Sequence, residues 1–236
     1  MGRLASLLFA LMAAGGAAAA SLQISPVSLF LRGEQSATAI QLRNTGEAPI
    51  YGQVRVFTWD QRGSEDLLDP AQDVAASPPL VQVAPGETQL IRVIRLGPAS
   101  PVERTYRLLI DEITREGEPQ AAGVDFRLRY SIPLFMLPER EPGPPQLAWR
   151  VLRRDARWML AIANNGGMHA QIGSMKFVAA TGAEHEISKG LFGYVLPGRT
   201  REWLLPLPPE TPLSTGVRID AQVNGKSMSI AVPTER

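Results

Sequence analysis

The longest alternating stretch of this chain is V-D-F-R-L-R-Y-S-I-P-L-F-M-L, from Val124 to Leu137. Its apolar residues are Val124, Phe126, Leu128, Tyr130, Ile132, Leu134 and Met136. A period of two predicts a β-strand with one continuous hydrophobic face. Strands in globular proteins usually have about 5 to 6 residues. The length therefore indicates either a strand that passes through two environments or a strand that offers its surplus face to another molecule.

The N-terminus has the layout of a secretory signal peptide. Arg3 is followed by an apolar run from Leu4 to Met12 and by small residues that end at Ala20. The apolar run is too short to anchor a protein in a bilayer, and no later stretch is long and apolar enough to do so. We therefore predict that residues 1–20 are removed after Ala20 and that the mature protein is soluble and exported.

The composition excludes a general affinity for nucleic acid or anionic lipid and indicates how the protein is stabilised. Without Arg3, the 24 basic side chains become 23, which equals the 23 acidic ones, so no whole-protein field favours nucleic acid or anionic lipid. The chain has no cysteine, so an exported protein must be stabilised by core burial alone. Roughly 216 mature residues are enough for two domains of ordinary size.

Short strands and turns follow one another from Ser21 onward, without a helical period. The first predicted strand comprises Leu22, Ile24 and Leu29 to Leu31 and is interrupted by Pro26. The other strands predicted before the long stretch are Ala37–Leu42, Tyr51–Trp59, Gln89–Leu96 and Tyr106–Ile113. A polar segment from Asp60 to Ala76 predicts a loop, and Arg115–Gly123 predicts a second one that enters the long strand.

A proline-rich segment divides the chain. The segment from Pro138 to Pro145 contains four prolines and one glycine, and this composition indicates a semi-rigid linker. The strands predicted beyond it are Leu147–Leu152, Trp158–Ala163, His169–Ala179, Trp203–Leu207, Val217–Val223 and Ser227–Val232. We predict an all-β protein with an N-terminal domain over 21–138, a linker over 139–145 and a C-terminal β-sandwich over 146–236, with no close repeat between the halves.

No catalytic constellation can be assembled from the sequence. It lacks a G-x-S-x-G elbow, a phosphate-binding P-loop and a cysteine nucleophile. His169 and His185 have no carboxylates at a recognisable metal-site spacing, so we interpret both as ordinary surface histidines. Asp111 and Glu112 are adjacent on a strand and point to opposite faces, so they cannot flank one reacting bond. We predict a protein that is not an enzyme and has no cofactor or metal.

Five arginines lie on the last three strands of the first half: Arg92, Arg95, Arg107, Arg127 and Arg129. In one interpretation they are solvated and pair with neighbouring acidic residues at little energetic gain. In the other, one or two are partly buried near the linker and hold a carboxylate through charge-assisted hydrogen bonds. The pattern alone leaves both open.

Several blocks, in order, resemble the periplasmic chaperones of the chaperone–usher pathway. They are Ser77-Pro78-Pro79, Ala84-Pro85-Gly86-Glu87, the strand Tyr106 to Glu112 and the segment Arg129 to Phe135. The resemblance covers essentially the whole mature chain. V-R-V-F-T-W-D from Val54, R-Y-S-I-P-L-F from Arg129 and F-G-Y-V-L from Phe192 look most like the archaic, Csu-type branch.

The resemblance implies two immunoglobulin-like sandwiches in a boomerang arrangement and a periplasmic location. It implies that the last strand of the first domain completes a pilus subunit by donor-strand complementation and that an outer-membrane usher then accepts the subunit. The donor side chains would be Phe126, Leu128, Tyr130, Ile132 and Leu134. Free protein could self-associate to cover this strand.

One feature departs from the best-known members of that family. They hold the C-terminal carboxylate of the subunit with a basic pair, and this chain has Ser28 and Pro133 at those positions. The resemblance makes Arg92, in the Csu-type context Gly-Glu-x-x-x-Ile-Arg, the first choice for a replacement anchor. Arg129 and Arg107 are the reserves.

Two other classes of protein stay open at this point. An exported structural or adhesive sandwich, such as a pilin-like subunit, should be a single incomplete sandwich with its own N-terminal donor segment. A hydrolase on a β-scaffold would need a nucleophile and a base that can be paired.

Overall fold

The computed structural model describes residues 22–113, 127–211, 213 and 216–235. Within these ranges the first half forms β1 (Leu22–Ser25), β2 (Leu29–Arg32), β3 (Ala37–Asn44), β4 (Ile50–Arg62), β5 (Glu65–Pro70), β6 (Val74–Ser77), β7 (Leu80–Val83), β8 (Thr88–Arg95), β9 (Arg104–Glu112) and β10 (Arg129–Leu137). The second half forms β11 (Leu147–Arg154), β12 (Arg157–Asn164), β13 (Ala170–Ala179), β14 (Glu184–Ser188), β15 (Gly193–Val195), β16 (Thr200–Leu204), β17 (Val217–Val223), β18 (Lys226–Val232) and β19 (Thr234–Glu235). The predicted signal peptide and the predicted loop Arg115–Gly123 lie outside the described residues.

Each half is a sandwich of two sheets. In the first half, one sheet has the order β1-β3-β8-β6 and the other the order β2-β10-β9-β4-β5, with β7 also paired to β4. In the second half, the orders are β16-β12-β11-β19 and β14-β13-β17-β18, with β15 paired to β13. The prediction of an all-β protein with two immunoglobulin-like sandwiches is confirmed.

Alternating side chains fill each core. Ile40, Ile91, Leu108 and Leu134 come from both sheets of the first sandwich and are fully buried between them. The second core, around Val151, Leu160, Phe177 and Ile219, is separate from the first. Because each half buries its own apolar face, each has the packing of an independent sandwich.

Each half has a buried asparagine at the end of a strand that donates hydrogen bonds to the backbone of a neighbouring turn and strand. Asn44 ends β3 and Asn164 ends β12, and the side-chain amide of each donates to two backbone carbonyls. The peptide N–H of Gly86 donates to Asn44 O at 2.9 Å, and that of Gly198 donates to Asn164 O at 2.8 Å. Both glycines have positive φ, 77° and 68°, which favours glycine in these Pro-Gly turns. The two halves therefore share this arrangement of a buried asparagine and a Pro-Gly turn, which was not predicted from the sequence.

The predicted polar loop from Asp60 to Ala76 is wrong. β4 continues to Arg62, turns at Gly63, whose φ is 56°, and returns as β5 at the edge of the sheet. The side chains of β5 are mostly exposed, so its sequence lacks the apolar alternation that identifies a half-buried strand. The resulting β4–β5 hairpin is the part of the first sandwich that contacts β16 of the second.

Candidate functional site

The two edges of β10 are bonded differently along its length. On one side, β10 pairs antiparallel with β9 from Arg129 to Met136. On the other side, β10 pairs in parallel with β2 only from Leu134 to Leu137. Among the described residues, no strand pairs with this second edge between Arg129 and Pro133. This open edge offers backbone hydrogen-bonding groups to an added strand.

The predicted donor side chains differ in burial. Leu128 is 38% exposed and precedes β10, while Tyr130 is half-buried against the first core. Ile132 and Leu134 are both buried within that core. Phe126 lies outside the described residues. The apolar face of β10 therefore contributes to its own sandwich at one end and becomes exposed at the other.

A narrow apolar cavity lies beside the open edge, between the two sheets. Leu22, Leu42, Ile110 and Tyr130 are among the residues that line it. The peptide N–H of Leu22 donates a hydrogen bond to the Tyr130 hydroxyl and so joins the starts of β1 and β10. Burial, followed by the nearby Glu112 carboxylate, raises the pKa of Tyr130. The Tyr130 side chain thus covers the gap between the two sheets beside the open edge of β10.

The three predicted anchor arginines lie in three different places. Arg92 is exposed on β8, in the sheet that does not contain β10. Arg129 lies at the start of β10. Arg107 lies on β9, directly opposite Pro133 in the pairing register. The structure does not bring them together, so at most one of them can contact a given carboxylate.

Arg129 belongs to an ion-pair cluster with Asp111 and Arg55. The Asp111 carboxylate accepts hydrogen bonds from Arg55 Nη2 at 2.5 Å and from Arg129 Nε. Burial tends to raise the pKa of Asp111, but the two guanidinium groups outweigh burial and hold that pKa below its ordinary value. As predicted, Asp111 and Glu112 face different surroundings, since Glu112 lines the apolar cavity instead.

Arg107 contacts residues from both halves. Its guanidinium group lies 3.6 Å from the centre of the Trp59 ring and 5.6 Å from that of Tyr194. Arg107 Nη2 lies 3.8 Å from Oδ2 of Asp66 on β5. Arg201 Nη1, from β16, lies 3.7 Å from Oδ1 of the same carboxylate. Burial lowers the pKa of Arg107. Two cations from different sandwiches therefore share one carboxylate.

The two sandwiches meet in a cluster of aromatic side chains, with polar contacts beside it. Trp59 and Phe135 from the first half pack against Tyr194 and Leu196 from the second. The side chain of Gln61 donates to Tyr194 O at 3.0 Å and accepts from the Leu196 peptide N–H at 3.0 Å. These contacts fix the β4–β5 hairpin against the second sandwich.

His169 is buried at this junction, so its interpretation as a surface histidine is wrong. Its ring stacks on Phe135 with centroids 3.5 Å apart, and Nδ1 lies 3.0 Å from both carboxylate oxygens of Glu103. The peptide N–H of His169 also donates to Glu103 at 3.1 Å. Glu103 precedes β9 and His169 precedes β13, so this buried contact joins the two halves.

Sequence reasoning missed the residues of the second half that complete these groups. Arg201, His169 and Tyr194 acquire their partners only when the two sandwiches meet, and no spacing in the sequence indicates that contact. Asp66 was missed because its segment was interpreted as a loop. In the described part of the chain, no three His, Asp or Glu residues are grouped to hold a metal ion. The same part has no helix that is long and apolar enough to cross a membrane.

Comparison with known families matches residues 21–141 to the pili and flagellar-assembly chaperones, PapD N-terminal domain. The chain belongs to this family. The family is one of pilus-assembly chaperones, as the resemblance implied, rather than of pilin-like subunits. No curated protein sequence is detectably similar to the chain.

Solved structures agree with this assignment. The chain is similar to the crystal structure of the CsuC–CsuE chaperone–tip adhesion subunit pre-assembly complex, from the archaic chaperone–usher Csu pili of Acinetobacter baumannii, with 25% identity, a TM-score of 0.68 and coverage of 92% of this chain and 100% of that one. The Pseudomonas aeruginosa CupB2 chaperone shares the fold at 16% identity, a TM-score of 0.59 and coverage of 89% and 100%. The Salmonella enterica SafA pilin–SafB chaperone complex does so at 16% identity, a TM-score of 0.63 and coverage of 91% and 97%.

Proposed function

We propose that this protein is a non-enzymatic periplasmic chaperone that binds a pilus subunit along the open edge of β10 and delivers it to an outer-membrane usher. Family membership and the likeness to the CsuC complex support a subunit as the partner. The observation that carries the binding mode is the edge of β10 from Arg129 to Pro133, with which no strand in the described part of the chain pairs, beside an apolar cavity.

An added strand would gain two kinds of contact there. Its backbone would continue the sheet, and alternate side chains on the apolar face of β10 would complete the core of the subunit, as in donor-strand complementation. Leu128 and Tyr130 supply exposed apolar surface for this contact, and each large apolar side chain that becomes buried contributes about 1.5 to 3 kcal/mol gross. Self-association of the free protein would use the same edge.

We propose that one of Arg92, Arg107 and Arg129 anchors a carboxylate of the subunit. Arg107 is opposite Pro133 in the pairing register, but its guanidinium group lies toward β4 and β5, against Trp59 and near Asp66. Arg129 is bonded to Asp111, and Arg92 lies on the other sheet. All three anchors remain predictions.

Co-expression with candidate subunits in the periplasm, followed by co-purification, tests the proposal. Ile132 and Leu134 are poor positions for this test because they are core residues, so an aspartate there would unfold the chaperone. We expect Leu128→Asp to reduce subunit retention by at least about tenfold because it places a charge beside the added strand.

Leu90→Asp is the matched control, since Leu90 is 43% exposed on β8 and faces away from the core. We expect this variant to retain the subunit. Equal retention by both variants would contradict binding at β10. Loss of the subunit only in Leu90→Asp would move the site to the outer face of β8, where Arg92 lies.

A further inference from the structure

The second sandwich also has a strand with an open edge. β18 pairs antiparallel with β17 along its whole length, from Lys226 to Val232. It lies at the end of the sheet β14-β13-β17-β18, and no strand in the described part of the chain pairs with its other edge. The side chains from Lys226 to Ser229 are exposed, as is that of Ala231. β18 is therefore a second place, besides β10, at which a strand can be added.

The turn before β18 determines which backbone groups lie on the open edge. Asn224 and Gly225 join β17 to β18, and their positive φ angles, 49° and 76°, agree with a two-residue type I′ hairpin. In such a hairpin the flanking residues, Val223 and Lys226, form a hydrogen-bonded pair, and bonded and non-bonded pairs alternate from there. The N–H and C=O groups on the open edge are therefore those of Ser227, Ser229 and Ala231.

The other edge strands among the described residues are short, charged or partly covered. β1, β2, β6 and β19 have four residues or fewer. β5 carries three acidic residues and ends at Pro70, β14 carries Glu184 and Glu186, and the turn at Gly63 covers part of β16. Charge, proline and cover are the usual protections against edge pairing. The seven residues of β18 have only one charge, on Lys226 at its start.

The open edge of β18 is complementary to a second copy of itself. If two copies run antiparallel with their Ser229 residues opposite each other, Ser227 of each copy lies opposite Ala231 of the other. Every residue that presents its N–H and C=O then meets another that does so, and each such pair exchanges two hydrogen bonds. The result is a closed, two-fold symmetric contact with about six backbone hydrogen bonds.

The side chains agree with the same register. On the face toward the second core, Met228 lies opposite Ile230 of the other copy. Met228 is 37% exposed, and Ile230 packs at the margin of that core, so this pairing buries apolar surface that each copy exposes alone. On the outer face, serine and alanine meet. Lys226 lies opposite Val232, so no like charges face each other.

We propose that β18 is a self-association site, at which two copies of this chain pair antiparallel about Ser229 and form one continuous sheet with four strands from each copy. The site is separate from self-association at β10 and leaves the open edge of β10 free in both copies. It does not rest on the proposed function. One strand pair buries less than the roughly 1,200 Å² of a stable interface, so the dimer should be weak and concentration-dependent.

Cysteine cross-linking of the full mature chain tests the register, because the chain has no cysteine of its own. Ser229→Cys places two thiols opposite each other with Cα atoms about 5.5 Å apart, within reach of a disulfide. In the matched control Ser227→Cys, the two thiols are offset by about 14 Å along the strands. We expect Ser229→Cys to cross-link on oxidation, and Ser227→Cys to do so only when it is mixed with Ala231→Cys.

Two outcomes of the cross-linking would overturn the site. One is equal cross-linking of Ser229→Cys and Ser227→Cys, which would come from random collisions. The other is the absence of cross-linking in Ser229→Cys, alone, at concentrations at which sedimentation shows a dimer.

Proline substitutions decide which open edge carries the association. Ser131 is the matched control for Ser229, since it is an exposed serine on the open edge of β10. Leu128 O accepts from the Glu112 peptide N–H of β9, so by alternation the N–H of Ser131 points away from β9. Proline at either serine removes an outward N–H and no bond of its own sheet.

Sedimentation equilibrium would compare Ser131→Pro with the double variant Ser131→Pro/Ser229→Pro, so that β10 is blocked in both. We expect the second proline to lower the association constant at least about tenfold, because the symmetric contact loses two hydrogen bonds. Equal association of the two variants would overturn β18 as the site. Complete loss of association in Ser131→Pro alone would assign it to β10 instead.

Two further measurements separate this site from folding and from subunit binding. Ser229→Pro also removes the hydroxyl that donates to Asp220 at 2.6 Å, so its melting temperature is measured as well. If that variant unfolds, the cross-linking of Ser229→Cys decides the proposal. In co-purification, Ser229→Pro should retain the subunit as the wild type does. If the wild type retains no subunit, the proposed function fails and the result on self-association stands.

Discussion

The two ends of β10 share one row of alternate apolar residues, from Tyr130 to Met136, but have different surroundings. From Leu134 to Leu137 the strand lies between β9 and β2, and its side chains are buried. From Arg129 to Pro133 it is bonded to β9 alone among the described residues, and the preceding Leu128 is exposed. One alternating pattern thus supports the core at one end and leaves a sheet edge for a partner at the other.

The covered end should dominate stability. Leu134 is fully buried in the first core, so Leu134→Ala should lower the free energy of unfolding by about 2 to 5 kcal/mol. Leu128→Ala, at the uncovered end, should change it by no more than about 0.5 kcal/mol. Urea unfolding, followed by the NMR signals of amides in the first sandwich, measures both. Similar losses in the two variants would show that the two ends do not differ as described.

The strand β10 could be predicted from the sequence, but the residue at which β2 begins to pair with it could not. A period of two predicted the strand, its buried face and its place before a proline-rich segment. The point at which β2 covers β10 depends on a parallel pairing between residues about a hundred positions apart, with Leu29 opposite Leu134. No local pattern encodes such a pairing, so the sequence did not show that Ile132 and Leu134 are core residues.

The cluster of Arg107, Arg201 and Asp66 at the junction between the sandwiches was predictable only in part. Arg107 was identified as a candidate anchor from its strand and its family context. Arg201 and Asp66 were missed for physical reasons, since Arg201 gains its partner through contact between the sandwiches and Asp66 lies on an exposed edge strand without apolar alternation. Exposed edge strands and contacts between domains leave weak signals in a single sequence.

Substitution of Tyr130, which lies at the uncovered end of β10, should have a smaller effect on the free energy of unfolding. Tyr130→Phe removes the hydroxyl that accepts from the Leu22 peptide N–H and keeps the ring. The loss of this hydrogen bond should lower the free energy of unfolding by about 1 kcal/mol. Amide hydrogen exchange should also become faster in β1 and should not change in β9. Unchanged exchange in β1 would contradict the link between the two edges.

The smallest effect concerns Asp111, which holds Arg129 at the start of the uncovered end. Asp111→Asn should cost no more than about 1 kcal/mol at pH 7, because both arginines are well exposed. The pKa of Asp111 is lowered in the folded protein, so its contribution is present above the unfolded-state pKa of about 4 and is lost as the pH falls through the folded-state value. The unfolding curves of wild type and variant should therefore differ at pH 7 and converge in acid. A difference that persists below the folded-state pKa would have to come from packing, and the start of β10 would then be fixed by something other than its charges.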